Sequence, residues 1–275
     1  MLFFNHSALI LQDRTLITRR CTFSQQIGVA PPLEIVPHLV RAGFYGISRV
    51  VPFVYEPPLV SALIERWRLE THTFHFPQGE CTITLQDVAV QLGLPVDGAP
   101  VIGPTNHNWR QLAEELLGEM PPDNEMSGQR VRIGWLTETF GVLPPNPTEE
   151  QLVRFTRAYI LRMIGGWLMP DHSGHLVPLM YLQFLRDLDE CGRYAWGAAV
   201  LAHLYHQMCH ATNPDAIEIS GCLTLLHVWA WDRFPSLAPG RPPIEDLYAT
   251  KNVPPPPLAF RYVFNCIFIL FFALY

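Results

Sequence analysis

The prolines of this sequence separate short segments in which apolar residues recur with the period of an α-helix. There are 26 prolines among 275 residues, and most lie between the periodic segments, as expected for loops. The clearest segment spans residues 149–167, and it is preceded by Thr148, which has the capping-box spacing to Gln151. Its apolar face consists of Leu152, Phe155, Tyr159, Met163 and Trp167. Arginines lie around the opposite side, so the pattern predicts a helix with one face in a core.

The same pattern predicts further helices and one β-ribbon. The helices are expected at about residues 58–68, 85–92, 109–117, 131–140, 178–188, 195–210 and 219–234. Residues 71–84 contain an alternating stretch and a β-prone stretch on either side of Gly79, which favours a two-stranded ribbon. Thr84 has the N-cap spacing to Asp87, and Gly93 is a typical C-terminal residue for the helix between them. The predicted fold class is mainly α, a compact multi-helix domain with a small β-ribbon near residues 71–84.

The charge of the chain does not favour a protein that holds phosphates. The formal net charge is −6, and the cations are eighteen arginines and a single lysine among 25 acidic residues. A protein that binds nucleic acid by charge usually has a basic balance or a basic stripe. Residues 84–94 resemble the first helix and turn of a helix-turn-helix module, but residues 95–103 contain two prolines and two glycines where a recognition helix would follow.

Three histidines are the candidates for metal ligation. His203, His206 and His210 lie within about 60° on one face of the helix predicted at residues 195–210. Zinc can use three imidazoles. The same face also carries Trp196 and Ala199, and no acid or cysteine has HExxH-type spacing. We therefore predict polar or hydrogen-bonded histidines and no metal.

Catalytic motifs are not found in the sequence. It contains no GxSxG elbow, no GxxxxGK[ST] loop and no GxGxxG loop. Pyridoxal-phosphate transaminases bind their cofactor on a lysine, and the only lysine here, Lys251, lies beside a proline run in a predicted linker. We predict no catalytic residues, no cofactor and no aminotransferase activity.

Two terminal features bear on the compartment. The N-terminal apolar run has no basic region before it and is interrupted by residues 5–7, so we expect no signal peptide. Without export the chain stays in a reducing compartment, where we expect the cysteines to remain free thiols. Residues 262–275 are almost wholly apolar, but fourteen residues are fewer than the roughly 20 that a membrane-spanning helix needs. We expect no membrane association.

Several stretches of the sequence resemble one family. They are AGFYGISRV (residues 42–50), the long stretch from LVSALIERWRLETHTFHFPQGE to LGLPVDGAPVIG (residues 59–103), WLTETFG (residues 135–141), the stretch from RAYILRMIGGWLMPDHSGH to HLYHQMC (residues 157–209) and CLTLLHVWAWDRFPSLAP (residues 222–239). On these residues the chain resembles the plant mobile domain, a family often labelled aminotransferase-like that also occurs fused to a serine/threonine phosphatase of the type-seven class. The absence of a suitable lysine argues against taking that label as chemistry.

The resemblance implies a non-enzymatic nuclear domain that acts in transposon silencing, genome stability and meristem maintenance. It implies a nuclear protein partner of the serine/threonine phosphatase type and an indirect association with DNA or chromatin. Two alternatives stay open. One is a nucleic-acid-binding module derived from a transposable element, and the other is a metal-dependent, transposase-like enzyme.

Candidate interaction residues are aromatic and arginine side chains between residues 41 and 239. They are Arg66, Trp67, Trp109, Trp229 and Trp231. These residue types are enriched at binding hot spots. Large tryptophans are also common in cores, so the same four tryptophans are candidates for the core.

The resemblance divides the chain into three parts. Residues 1–40 form a divergent N-terminal segment, residues 41–239 the plant mobile domain, and residues 240–275 a proline-rich linker with an apolar tail. The sudden apolar composition of the tail leads to the hypothesis that it is a truncation artefact of the gene model or intron read-through. Sequencing of the transcript across Phe260 tests this hypothesis, and an uninterrupted spliced message would contradict it.

Overall fold

The computed structural model of the chain describes residues 14–19, 31–50, 53–238 and 257–259. The regular structure within these residues is mainly helical, with sheets of only two or three short strands. The prediction of a mainly α domain with a small ribbon is therefore confirmed. Lys251, the prolines at 254–256 and the apolar tail at 262–275 lie outside the described residues.

The described α-helices are α1 (Val36–Arg41), α2 (Tyr45–Ser48), α3 (Pro57–Ile64), α4 (Leu85–Leu92), α5 (Trp109–Leu117), α6 (Ile133–Phe140), α7 (Glu149–Met163), α8 (Leu188–Cys191), α9 (Trp196–Ala211) and α10 (Leu223–Arg233). The strands are β1 (Ile17–Thr18), β2 (Trp67–Arg68), β3 (Thr73–Phe76), β4 (Gly79–Cys81), β5 (Met126–Ser127), β6 (Arg130–Arg132), β7 (Leu176–Pro178) and β8 (Glu218–Ile219). A π-helical turn (Ile164–Leu168) continues α7, and 3₁₀ turns lie at Leu33–Ile35, Asp123–Glu125, Leu179–Leu185 and Pro235–Leu237.

The strands form three small sheets. β2, β3 and β4 make an antiparallel ribbon in which Trp67, Phe74 and Cys81 lie side by side. β5, β6 and β7 make a second antiparallel sheet, and β1 pairs in parallel with β8. The predicted ribbon thus has a third strand, β2, in a position where the sequence pattern predicts the end of a helix.

Capping residues fix the ends of the two helices that the sequence marks most clearly. At the start of α7 the Thr148 hydroxyl accepts the Gln151 N–H (3.3 Å), and the Gln151 side chain accepts the Thr148 N–H (2.9 Å). Thr84 and Asp87 form the same reciprocal pair at the start of α4, and Gly93 ends that helix with a left-handed φ of 65°. Each pair satisfies backbone donors that the first turn of a helix leaves without partners.

Two predicted helices are interrupted because other bonds compete with the helical ladder. α3 ends at Ile64, four residues before the predicted end, because Trp67 and Arg68 pair with β3. The helix predicted at residues 178–188 is a 3₁₀ turn followed by α8. The Asp187 carboxylate accepts the N–H groups of two residues in α8 and so starts a new helix.

The core is centred on α10 and the end of α7. Every residue of α10 from Leu223 to Trp231 is buried, and so is every residue from Ala158 to Leu168. A helix that is buried on all sides lies inside a domain and not on its surface. Among the described residues no helix combines the length and apolar character needed to span a membrane.

The chain also makes a docked contact beyond its proline run. The N–H groups of Leu258 and Ala259 donate to the carbonyl oxygens of Val90 (2.9 Å) and Gln91 (3.2 Å) near the end of α4. Ala259 is completely buried. These bonds satisfy carbonyls that the last turn of a helix otherwise leaves unpaired.

Candidate interaction surface

The five predicted interaction residues lie at two different depths. Trp67, Trp109, Trp229 and Trp231 are each at most 4% exposed. Arg66 is exposed, with 43% of its side chain accessible. The four tryptophans therefore occupy the core, and Arg66 alone of these five residues lies on the surface.

Two of the buried tryptophans support the ribbon from its inner side. Phe74 in β3 contacts both, and its ring centroid lies 4.9 Å from that of Trp67 and 4.9 Å from that of Trp229. Trp67 also packs edge-on against Tyr205 of α9 at 5.0 Å, and its indole N–H donates to the Cys209 sulfur at 3.3 Å. These contacts hold the ribbon against α9 and α10 in one orientation.

The outer side of the ribbon carries polar and charged residues. Because side chains alternate along a strand, Arg68, Thr73, His75 and Glu80 point away from the buried aromatic rings, and the exposed Arg66 lies in the turn directly before β2. The Thr73 hydroxyl donates to a Glu80 carboxylate oxygen (2.9 Å), and His75 Nδ1 lies 3.9 Å from the other oxygen. We call these five residues the ribbon surface. It is a rigid, polar face with two arginines at its base.

The sequence contained a signal for most of this surface. The alternation of polar and apolar residues between Thr71 and Pro77 predicts a strand with one buried face, and its polar members Thr73 and His75 belong to the ribbon surface. The sequence does not predict Arg68 on this surface. Residues 58–68 fit a helical period, so Arg68 is expected at the end of a helix and not beside Thr73.

The turn between β2 and β3 is held in an uncommon conformation. His72 has a φ of 52°, a left-handed value that few non-glycine residues adopt, and its ring stacks on Trp67 at 6.0 Å. The Thr82 hydroxyl donates to the His72 carbonyl (2.7 Å), and the Tyr205 hydroxyl donates to the Ile83 carbonyl (2.6 Å). Burial raises the pKa of Tyr205, which keeps its hydroxyl protonated as a donor. The turn is therefore held at the His72 ring by Trp67 and at the His72 carbonyl by Thr82.

The exposed arginines are mostly paired with carboxylates. The pairs are Arg19–Glu218, Arg41–Asp189, Arg66–Glu65, Arg110–Asp123, Arg130–Asp171, Arg132–Glu125, Arg154–Glu150, Arg186–Glu115, Arg193–Glu190 and Arg233–Asp87. Arg157 instead donates to three backbone carbonyls, those of Leu116, Leu185 and Arg186. Local pairing neutralises much of the positive potential that attracts nucleic acid.

The three candidate metal ligands have different surroundings. His203 is mostly buried, its Nε2 lies 3.1 Å from the Pro170 carbonyl oxygen, and burial lowers its pKa. His206 and His210 are exposed, and the His210 ring contacts that of His172 at 5.7 Å. In the part of the chain that the structure describes, no group of three or more His, Cys, Asp or Glu residues is arranged to hold a metal ion.

Burial favours the neutral form of three titratable groups in the core, His227, Cys191 and Cys222. His227 Nε2 accepts the Glu56 N–H (2.9 Å), its Nδ1–H donates to the Leu223 carbonyl (2.8 Å), and burial lowers its pKa to about 4. Burial raises the pKa of the Cys191 and Cys222 thiols to about 12, which disfavours the thiolate that acts as a nucleophile.

A second buried chain of polar groups crosses the core. The Trp167 indole N–H donates to the Thr224 hydroxyl oxygen (2.8 Å), which also bonds to the Tyr55 hydroxyl (3.1 Å). These bonds tie the π-helical turn to α10 and to the segment before α3. They fix the packing of the core that supports the ribbon.

Comparison with known proteins identifies similar sequences. A sequence model of the plant mobile domain family matches residues 43–265. A serine/threonine-protein phosphatase 7 long form homolog of Arabidopsis thaliana is 42% identical over 241 residues, which cover 86% of this chain and 18% of that protein. Protein MAIN-LIKE 2 of the same plant is 44% identical over 191 residues, with coverage of 70% and 29%. Its Protein MAINTENANCE OF MERISTEMS is 42% identical over 200 residues, with coverage of 72% and 42%.

The chain spans less than half the length of each of these curated relatives. No solved structure matches it.

Proposed function

Because the chain belongs to the plant mobile domain family, we propose that it is a non-enzymatic interaction domain of the plant nucleus that acts in meristem maintenance. The relatives named for meristem maintenance support this role. The proposal extends to transposon silencing and genome stability, with a serine/threonine phosphatase-like protein as the partner. Association with DNA or chromatin would then be indirect, through that partner.

The observation that carries the proposal is the ribbon surface. Its backbone is fixed from behind by Trp67, Phe74 and Trp229, so the backbone of this surface loses little conformational freedom when a partner binds. Arg66 and Arg68 provide the residue type most often found with aromatics at binding hot spots. A partner with acidic and aromatic side chains would complement this face.

The experiment is affinity purification of the full chain from plant nuclei, followed by mass spectrometry. The wild-type chain is expected to recover a phosphatase-like protein, and Arg66→Glu is expected to reduce the recovery at least about tenfold, the loss typical of hot-spot residues. Arg193→Glu is the matched control, because Arg193 is exposed and paired with Glu190 outside the ribbon. Recovery of no specific partner, or equal loss with both variants, would contradict the proposal.

The nucleic-acid-binding alternative has less support from the charge distribution. Most exposed arginines are already paired with carboxylates, so few cations are free to replace the counterions of a phosphate backbone. The alternative predicts DNA binding with a steep salt dependence, and negligible binding at low salt would remove it. For a transposase-like enzyme, elemental analysis would have to find stoichiometric zinc, manganese or magnesium.

A further inference from the structure

Residues 14–19 lie as an extended segment in a groove formed by α3 and by the connection between α9 and α10. Three backbone N–H groups of the segment bond to the groove. They are those of Leu16 to the Ser61 hydroxyl (2.9 Å), Ile17 to the Ile217 carbonyl (3.0 Å) and Arg19 to the Ile219 carbonyl (3.0 Å). The segment therefore forms a two-stranded parallel sheet with β8, through main-chain bonds of the kind that bound extended peptides make.

Three side chains of the segment occupy separate subsites. The Arg14 guanidinium donates to the carbonyl oxygens of Asn213 (2.7 Å) and Ala216 and lies 3.4 Å from that of Ala211. The Leu16 side chain is 3% exposed. The guanidinium of Arg19 lies 2.5 Å from the Glu218 carboxylate.

The body of the domain provides these subsites independently of the segment. Ala211 is the last residue of α9, where carbonyl groups lack helical partners and the helix dipole favours cations. Glu218 supplies a carboxylate at the other end of the groove, and His172 Nδ1 lies 3.4 Å from its second oxygen. The groove residues lie within the range that matches the family, whereas residues 14–19 precede it.

We propose that this groove is a peptide-docking site of the domain, which residues 14–19 occupy in cis. Its ligand in trans is an extended segment of a partner protein with the pattern Arg-X-Leu-X-X-Arg. The two arginines match subsites built on carbonyl and carboxylate oxygens, and the leucine matches the apolar position between them. The inference rests on the proposed function as an interaction domain, but it does not use the ribbon surface.

The cis segment is held in a way that a competing peptide can replace. Leu16 is its one fully buried side chain among the six described residues, and Ile17 is 59% exposed. The hydrogen-bond donors of the segment bond to backbone carbonyls, one hydroxyl and one carboxylate. A second peptide of the same pattern would satisfy these acceptors equally. The cis segment has the advantage of its covalent link to the domain, which raises its effective concentration.

The test measures binding of a fluorescein-labelled peptide, Arg-Thr-Leu-Ile-Thr-Arg, to the full chain by fluorescence anisotropy. Leu16→Asp weakens the cis segment, and this variant is expected to bind the probe at least about tenfold more tightly than the wild-type chain. Adding Glu218→Arg to Leu16→Asp is expected to abolish that gain. A probe whose last arginine is replaced by glutamate is expected to restore it, because the charges at that subsite are then exchanged.

Three controls keep the outcome decisive. Adding Glu190→Arg to Leu16→Asp alters an exposed carboxylate outside the groove and is expected to leave probe binding unchanged. Circular dichroism reports whether each variant is folded. If Leu16→Asp does not fold, Arg14→Ala is the alternative substitution that weakens the cis segment. A probe with aspartate in place of leucine is expected not to bind.

Two results would overturn the inference. One is probe affinity that is the same for the wild-type and cis-weakened chains or that does not respond to Glu218→Arg. The other is a wild-type dimer in light scattering that Leu16→Asp converts to a monomer, because the ligand in trans would then be a second copy of this chain. Neither measurement involves Arg66 or the nuclear partner, so either failure is distinguishable from a failure of the proposed function.

Discussion

At the scale of single residues, the buried imidazole of His227 makes the stability of the core depend on pH. Its imidazole is completely buried in α10, and both ring nitrogens are bonded to backbone groups in a way that defines one neutral tautomer. Protonation would place a charge in the core and break the bond from the Glu56 N–H. For this reason burial lowers its pKa to about 4.

The lowered pKa predicts that the domain is less stable in mild acid. The unfolded chain, in which the pKa of the imidazole is about 6.5, binds the proton more readily than the folded chain. The contribution of His227 to the free energy of unfolding is therefore fully present above pH 6.5 and decreases as the pH falls toward 4, by about 3 kcal/mol in total. Urea unfolding of the wild-type chain and of His227→Gln between pH 7.5 and 4.5 measures this contribution.

The variant is expected to be less stable at pH 7.5 and to show a weaker dependence on pH. The glutamine amide oxygen can accept the Glu56 N–H, and the side chain does not titrate. His206→Gln changes an exposed histidine of α9 and should keep the wild-type dependence. Parallel pH profiles for wild type and His227→Gln would show that His227 is not the group responsible.

Single residues also mark the limit of what the sequence could predict about the site. The tryptophans were ambiguous between a surface and the core, because composition does not say which side of an element faces outward. The helical period of residues 58–68 predicts Trp67 on a helix, whereas its position in β2 follows from pairing with Phe74, seven residues later. Tertiary pairing of this kind is not contained in a local period.

At the scale of elements, α7 shows both the success and the limit of periodicity. Its start at Glu149 is coded by the local pair Thr148 and Gln151, and the sequence predicted it correctly. Its continuation as a π-helical turn is not coded locally. Gly165 lies in that turn, close to Val177 of β7, and the sheet of β5, β6 and β7 was missed because its strands have only two or three residues.

The close approach at Gly165 predicts that even one methyl group would disturb the core. A Cβ atom there would lie 2.4 Å from Val177 Cβ and 3.1 Å from its Cα, so the strand itself would have to move. Gly165→Ala is expected to lower the free energy of unfolding by about 1–3 kcal/mol, the usual cost of overpacking. Thermal or urea unfolding provides the measurement.

Gly134→Ala is the matched control for this prediction. Gly134 is an exposed residue of α6, and a Cβ atom there would have no neighbour within 4 Å. Alanine in that position should stabilise the helix by about 0.5–1 kcal/mol. The two substitutions are thus expected to have opposite signs, and a loss of similar size at both positions would refute the packing argument.

At the scale of the whole molecule, the sequence predicts that the domain ends at residue 239, but residues 257–259 also contact it. Periodicity and the proline run suggested a linker after Phe234, and nothing in a local pattern indicates that the chain returns to the end of α4. Yet Ala259 is completely buried, and its N–H and that of Leu258 complete the last turn of α4. The three-part division of the chain remains a prediction.

This contact predicts that a charge at residue 259 would release the segment. Ala259→Asp would bury an uncompensated carboxylate if the segment stayed docked. The segment is expected to undock instead, so the free energy of unfolding falls only by what the contact contributes, about 1–3 kcal/mol. Hydrogen-exchange mass spectrometry should find the amides of Leu258 and Ala259 protected in the wild-type chain and unprotected in the variant. Ala202→Asp, on the exposed face of α9, should leave that protection intact. Rapid exchange of both amides in the wild-type chain would refute the docked contact.

The complete burial of α10 has a consequence for biosynthesis. A ribosome translates the polypeptide from its N-terminus, so α3 and α4 emerge before α10, against which they pack. Until about residue 233 has left the exit tunnel, the faces of α3 and α4 that pack on α10 have no partner to cover them. Nascent chains arrested before that point would therefore present apolar surface to chaperones and proteases, and folding of this domain is expected to be completed late in translation.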